Sequence, residues 1–225
     1  MQCTLHSSPA ADVLVELYAD SELQDAKAKD RPKSAPPLWS GATPLERFTS
    51  AKHLYMPIDR PFGHLLYSLI RASRPLTIVE FGTSFGISTI FLAAAARDNG
   101  AGKVITTEFL ADKAEVAKKN LTAAGLADWV EFRVGDAIHT LHEPLPGPVD
   151  FLFLDGEKTM YLDVVKLLEP RMKPGCLIAS DNTDQQGTHT YLNHVRDAGN
   201  GYISAPLLTP GGPKHQSGHE LSVRL

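Results

Sequence analysis

Apolar and polar positions alternate along the chain in two different rhythms. From Ala10 to Ala28 the apolar residues Val13, Leu14, Leu17, Tyr18 and Leu23 fall near one face, which predicts a helix. Arg31 to Pro44 carries four prolines and reads as a linker, with Trp39 as a cover over a pocket or, more readily, a hydrophobic latch onto the domain. Pro44 to His53 predicts a second helix, with Thr43 as cap, Pro44 at the first helical position and Glu46 three residues after the cap. Two prolines between Tyr55 and Gly63 prevent regular structure before a helix at Phe62 to Ala72, striped by Leu65, Leu66, Leu69 and Ile70.

From Leu76 the rhythm changes. Short, near-continuous apolar runs predict strands at Leu76–Phe81, Lys103–Thr107, Val130–Val134, Asp150–Leu154 and Cys176–Ser180. Helices lie between them, near Ile87–Arg97, Ala111–Ala124, Thr159–Leu168 and Thr188–Arg196. Such alternation predicts a parallel sheet covered on both faces. Gly201–Leu207 and His219–Leu225, joined by a Pro/Gly loop, predict an antiparallel hairpin closing one edge.

Composition narrows the class. With 225 residues, 43% hydrophobic and 21% charged, the chain suits one α/β domain with a modest extension. A net charge of -4 gives no electrostatic case for nucleic acid. Cys3 and Cys176 form no Cys-x-x-Cys pair, which argues against zinc and a disulfide framework, and Cys176 reads as a buried, inert thiol. No apolar run reaches membrane-spanning length, and the N-terminus lacks a signal-peptide pattern, so a cytoplasmic protein without membrane partners is expected.

The chemistry gathers after the strands, where open parallel sheets bind ligands. The first strand runs into Glu80-Phe-Gly82-Thr83-Ser84-Phe-Gly86-Ile-Ser88, a Gly-x-x-x-Gly turn opening a helix. The glycines permit close approach of backbone to a ligand, and the helix start offers free N–H groups to an anion. The same turn also serves as simple packing in an α/β domain, and it lacks the dinucleotide pattern of NAD enzymes. Glu108, about twenty residues on, stands where an acid accepts hydrogen bonds from ribose hydroxyls. Asp136, in Gly135-Asp136-Ala137, suits either an adenine amino group or the cap of a short helix. Asp155, Asp181 and Asn182 offer oxygen ligands suited to Mg²⁺ from adjacent strand ends. Lys158, three residues past Asp155, is a candidate general base beside a cation, or else a surface lysine.

In this order, Glu80-Phe-Gly-Thr-Ser-Phe-Gly-Ile-Ser, Glu108, Gly135-Asp136-Ala137, Leu154-Asp155-Gly-Glu-Lys158 and Ser180-Asp181-Asn182 resemble a class I S-adenosylmethionine-dependent methyltransferase. Within that class the pattern resembles the metal-dependent catechol O-methyltransferase type. The resemblance runs from about Met56 to the C-terminus, including Tyr191-Leu-Asn-His-Val195. It implies an α/β, Rossmann-like fold with a mostly parallel seven-stranded sheet, helices on both faces and the antiparallel C-terminal hairpin. The Pro-rich stretch divides the chain into an N-terminal helix and linker, 1–42, and a methyltransferase domain, 43–225. By the same resemblance Met56, Ile58, Gly82, Ser88 and the turn between them hold the methionine part of the cofactor. Glu108 takes the ribose, and Asp136 and Ala137 border the adenine. Asp155, Asp181 and Asn182 ligate Mg²⁺ or another divalent cation, and Lys158 takes the acceptor's proton.

Departures from the animal catechol enzymes bear on the substrate. Where those enzymes place tryptophans and a proline around the acceptor, this chain has Leu54, Glu157 and Gln186, and their late glutamate has no counterpart in 210–218. A more polar or more open pocket for a small catechol-type acceptor is expected. Rival readings are metal-independent methylation of an amine, imidazole or carboxylate, and a module that holds S-adenosylmethionine without turnover. The N-terminal segment of about forty residues reads as a cap over the acceptor pocket, an element swapped between subunits or a mobile arm, and the first helix and the edge hairpin are both candidate homodimer surfaces.

Overall fold

The computed structural model describes residues 3–30, 41, 43–211 and 215–225. The linker with Trp39 lies outside the described residues, as does the centre of the hairpin loop. Helix α1 (Ala10–Lys29) comes first, followed by α2 (Pro44–Ser50) and α3 (Arg60–Ser73). Then follow β1 (Thr77–Phe81), α4 (Ile87–Asn99), β2 (Lys103–Glu108), α5 (Ala111–Ala123), β3 (Val130–Val134), α6 (Ala137–Thr140) and β4 (Val149–Leu154). The chain closes with α7 (Tyr161–Leu168), β5 (Met172–Ser180), α8 (His189–Arg196), β6 (Tyr202–Gly211) and β7 (His215–Arg224).

The strands form one seven-stranded sheet in the order β3-β2-β1-β4-β5-β7-β6. All pairings are parallel except those of β7, which runs against both β5 and β6. This is the Rossmann-like α/β architecture expected from the alternating pattern. Both sheet faces are apolar, so neighbouring residues of one strand serve different cores. Ile78, Phe151 and Phe153 pack under α1, α3 and α4. Val79, Leu152 and Leu154 pack under α7 and α8. Strand order reverses between β1 and β4, which is where such sheets open a crevice at their carboxyl ends.

Local signals explain most element ends. Thr43 and Glu46 form the expected capping box on α2, with Glu46 N–H donating to Thr43 Oγ1 at 3.2 Å and Thr43 N–H to Glu46 Oε2 at 3.0 Å. The helix stops at Ser50 rather than His53, and the chain after it is drawn to α1: Gln24 Nε2 donates to the His53 carbonyl at 2.7 Å, and Tyr55 N–H donates to Gln24 Oε1 at 2.6 Å. Tyr18 adds a hydroxyl bond to the Ile58 carbonyl at 2.9 Å. Helix α1, whose Leu14, Leu17 and Tyr18 are buried, therefore holds residues 53–58 at the crevice. Strand β1 starts at Thr77 rather than at the exposed Leu76, and the N–H groups of both residues donate to Asp150 Oδ2 at 2.9 Å. The hairpin strands are longer than the apolar pattern predicts, since cross-strand pairing carries both into the polar Pro/Gly region.

Candidate active site

A cavity of about 1080 Å³ opens at the carboxyl ends of the strands. Its wall carries Met56, Ile58, Gly82, Thr83, Ser84, Ser88, Glu108, Asp136, Ala137, Asp155, Glu157, Lys158, Asp181, Asn182 and Gln186. Residues from six separate stretches of sequence thus share one hollow. Gly86 stands behind it as the N-cap of α4, with φ +87°. Two further expected site residues, Leu54 and Glu80, also do not reach the wall. Leu54 contributes only its carbonyl, which accepts from Lys113 Nζ at 3.3 Å. Glu80 is fully buried and points away. Its Oε1 accepts from Ser88 Oγ, and its Oε2 from Thr89 and Thr106 hydroxyls, each at 2.6 Å. Burial raises the Glu80 carboxyl pKa, and these three hydroxyls pull against the rise. Glu80 is thus a strut that ties β1 to β2 and to the first turn of α4, rather than a ligand contact.

Gly82 is where the turn needs a glycine. Its φ is +106°, and a Cβ there would stand 2.7 Å from the Asp155 carbonyl carbon and oxygen and from Gly156 N. The β1 and β4 ends are this close because Asp155 N–H donates to the Phe81 carbonyl at 2.8 Å. Glu108 is positioned by backbone donors: Ser84 N–H to Oε2 and Leu110 N–H to Oε1, both at 2.9 Å. Burial raises its pKa, against those donors and the nearby Lys113 ammonium. Asp136 caps α6 through Oδ1, which accepts from Ile138 N–H at 2.8 Å, and it also stands on the cavity wall. Both readings of Asp136 made from the sequence are therefore compatible in one residue.

At the other end of the cavity the register of β4 and β5 pairs Leu154 with Ser180. The next residues, Asp155 and Asp181, accordingly lie side by side at adjacent strand ends. Asp181 N–H donates to the Leu154 carbonyl at 2.9 Å. Lys158 Nζ donates to Asp155 Oδ1 at 3.0 Å and to the Tyr161 hydroxyl at 2.9 Å. That hydroxyl in turn faces the Leu154 and Asp181 carbonyls at 2.9 and 3.0 Å. Lys158 is consequently no surface lysine. Burial pushes the Asp155 carboxyl well above the usual carboxylate range; Lys158 opposes the rise, and the Asp181 charge adds to it. Two carboxylates so placed, Asp181 buried and Asp155 partly buried, favour a cation between them, and the donors are oxygens of the hard type that Mg²⁺ takes. Among the described residues no three His, Cys, Asp or Glu side chains cluster as metal ligands, so the candidate set is two carboxylates and the Asn182 amide.

Three contributors were invisible as site residues in the sequence. Tyr161 lies three residues after Lys158, a spacing that reads only as helix periodicity. Lys113, buried beside the glycine turn, also bonds Ser84 Oγ at 3.3 Å and joins that turn to residue 54. Phe48 of α2 meets Phe109 with ring centroids 6.0 Å apart, both on the cavity wall.

Comparison with known proteins accords with this geometry. Residues 79–183 match the model of a methyltransferase domain family. The chain is 31% identical over 176 residues to a catechol O-methyltransferase of Niastella koreensis, covering 72% of this chain and 79% of the relative. This chain belongs to the class I S-adenosylmethionine-dependent O-methyltransferases. The methyltransferase is also 31% identical to a caffeoyl-CoA O-methyltransferase of Petunia hybrida, over 67% of this chain and 68% of that one. Among solved structures, the O-methyltransferase TomG from Streptomyces achromogenes, determined in complex with S-adenosylmethionine, superposes with a TM-score of 0.68. It is 25% identical and covers 93% of this chain and 98% of its own. The protein is thus an enzyme that uses S-adenosylmethionine to methylate oxygen.

Proposed function

We propose that this O-methyltransferase acts on a hydroxyl of a small catechol-type acceptor with a divalent cation, Mg²⁺, held by Asp155, Asp181 and Asn182. The observation that carries the reading is the side-by-side placement of Asp155 and Asp181 on the cavity wall beside Lys158. The relatives named for catechol and caffeoyl-CoA support it. When bound, the cation supplies charge stabilisation to an ionising hydroxyl. Lys158 takes the acceptor's proton, and Tyr161 and Asp155 hold its Nζ in place. The oxygen then forms a bond to the methyl carbon as the S–CH₃ bond breaks, and S-adenosylhomocysteine leaves. Glu108 holds the ribose, Asp136 and Ala137 border the adenine, and Met56, Ile58, Gly82 and the turn to Ser88 enclose the methionine part. The enzyme's task is chiefly to align oxygen, methyl and sulfur.

Glu157 and Gln186 on the wall favour a hydroxyl-rich or cationic acceptor. Turnover of dopamine, caffeic acid and protocatechuate, compared between the wild type and Glu157→Gln, measures that preference. Methylation of catechol should stop in EDTA and return with Mg²⁺, and Asp155→Ala should lose activity and metal response together. Full activity in EDTA would select a metal-independent methyltransferase instead.

A further inference from the structure

Asp181 is held from behind. Strand β7 pairs with β5 so that Ser180 lies opposite Glu220, which brings the next residue, Asp181, to His219. His219 is 1% exposed, and its Nδ1 stands 2.8 Å from Asp181 Oδ1, an ion-pair contact that lacks hydrogen-bond alignment. Its ring stacks on Phe62 of α3, with centroids 3.8 Å apart and planes 11° from parallel. The same Oδ1 accepts from Asn182 N–H at 2.8 Å. Among the described residues no hydrogen bond falls on Oδ2, and Asp181 lines the cavity. The Asp181–Asn182 turn is also stitched to β7: Thr183 N–H donates to the Gly218 carbonyl at 2.9 Å, and a Cβ on Gly218 would stand 3.0 Å from Asp184 Cβ. The strand lies this near the turn because residue 218 is a glycine.

An aspartate turns freely about two side-chain bonds. A contact at one oxygen removes that freedom, and a ring locked against Phe62 provides a rigid contact. We propose that His219 is a positioning residue: it holds Asp181 Oδ1 and so presents Oδ2 to the divalent cation. The inference rests on the metal reading above. His219 itself is not on the cavity wall, so it acts through Asp181. Partners behind a metal ligand matter because a ligand already oriented loses less freedom on binding, and their removal weakens metal affinity about 10–100-fold.

The test is Mn²⁺ binding to the full chain, followed by electron paramagnetic resonance, with S-adenosylhomocysteine affinity measured by calorimetry. His219→Phe keeps a ring against Phe62 and removes the Nδ1 contact; His219→Asn places an amide nitrogen near the Nδ1 position. His219→Phe should bind Mn²⁺ about 10–100-fold more weakly, and His219→Asn should recover most of the loss. S-adenosylhomocysteine affinity should not move in either. Should His219→Phe fail to fold, His219→Met is read against His219→Asn in the same way. Unchanged Mn²⁺ affinity in folded His219→Phe overturns the proposal, as does His219→Asn binding as weakly as His219→Phe. Mn²⁺ binding that is lost in Asp155→Ala but untouched by His219→Phe leaves the metal reading standing and removes His219 alone. A wild type that binds no Mn²⁺ removes both.

Discussion

Replacing Gly82 with alanine strains the molecule in two separable ways. The first is backbone conformation: φ at Gly82 is +106°, where an L-residue costs about 1–2 kcal/mol. The second is a collision. The new Cβ meets three backbone atoms of Asp155 and Gly156 at 2.7 Å, and none of them can rotate aside. Reaching the 3.4 Å of ordinary contact requires the β1 and β4 ends to part by about 0.7 Å, since 3.4 less 2.7 is 0.7. Such overpacking costs about 1–3 kcal/mol. Together the two amount to about 2–5 kcal/mol. For a chain of 225 residues, each kcal/mol lowers Tm by about 2–4 °C, so the fall should be roughly 4–20 °C. Gly100→Ala isolates the first part, because Gly100 has φ +71° and nothing within 4 Å of its would-be Cβ. It should lose only about 2–8 °C. Calorimetric melts of both variants, with S-adenosylhomocysteine titrations of each, make the comparison. Gly82→Ala should also bind the cofactor product at least about tenfold more weakly, since sub-ångström misplacement in a site is expensive, while Gly100→Ala should bind normally. Equal melting losses and equal affinities in the two variants would refute the claim that the strand-end contact requires glycine.

Other outcomes follow from the same geometry. Lys158→Ala should lower kcat by about 10²–10⁴-fold, the usual contribution of a general base, with S-adenosylhomocysteine affinity little changed; an equal fall in both would return Lys158 to a binding role. Glu169 accepts from the Tyr202 hydroxyl at 2.6 Å and meets His194 Nε2 at 2.6 Å. Burial alone would raise its pKa, but these partners hold it below the usual value. A depressed carboxyl stabilises the fold above its unfolded pKa of about 4.3, and that stability is lost as pH falls through the lower folded value. The urea midpoints of wild type and Glu169→Gln should therefore differ near neutrality and converge below about pH 4; a constant gap would contradict this. Burial pushes the Cys176 thiol up to about 12. In the native enzyme at pH 8 it should resist a thiol reagent that titrates it after denaturation, and fast native labelling at Cys176 would contradict its burial.

Much of the fold was legible because its causes are local. Apolar runs such as Phe151–Leu154 announce a strand buried on both faces, and Thr43-Pro44 with Glu46 announces a helix start. The order of acids after the strands is likewise written in the chain, since parallel strands deliver their next residues to one edge. Which way each acid turns is not written there. Glu80 sits one residue before the glycine turn, yet Ser88, Thr89 and Thr106 claim it from inside, whereas Glu108 is kept at the cavity by two backbone N–H groups. Leu54 leaves the wall because α1, far off in sequence, sets the path of residues 53–58. His219 carries no local signal: it meets Asp181 only because β7 enters between β5 and β6 in antiparallel register. The sequence by itself determined the strands, the turns and the supply of oxygen and nitrogen groups, each a matter of a few neighbouring residues. Tertiary structure alone decided which groups face the cavity and which brace it, because that depends on contacts between segments whose pairing no local pattern encodes.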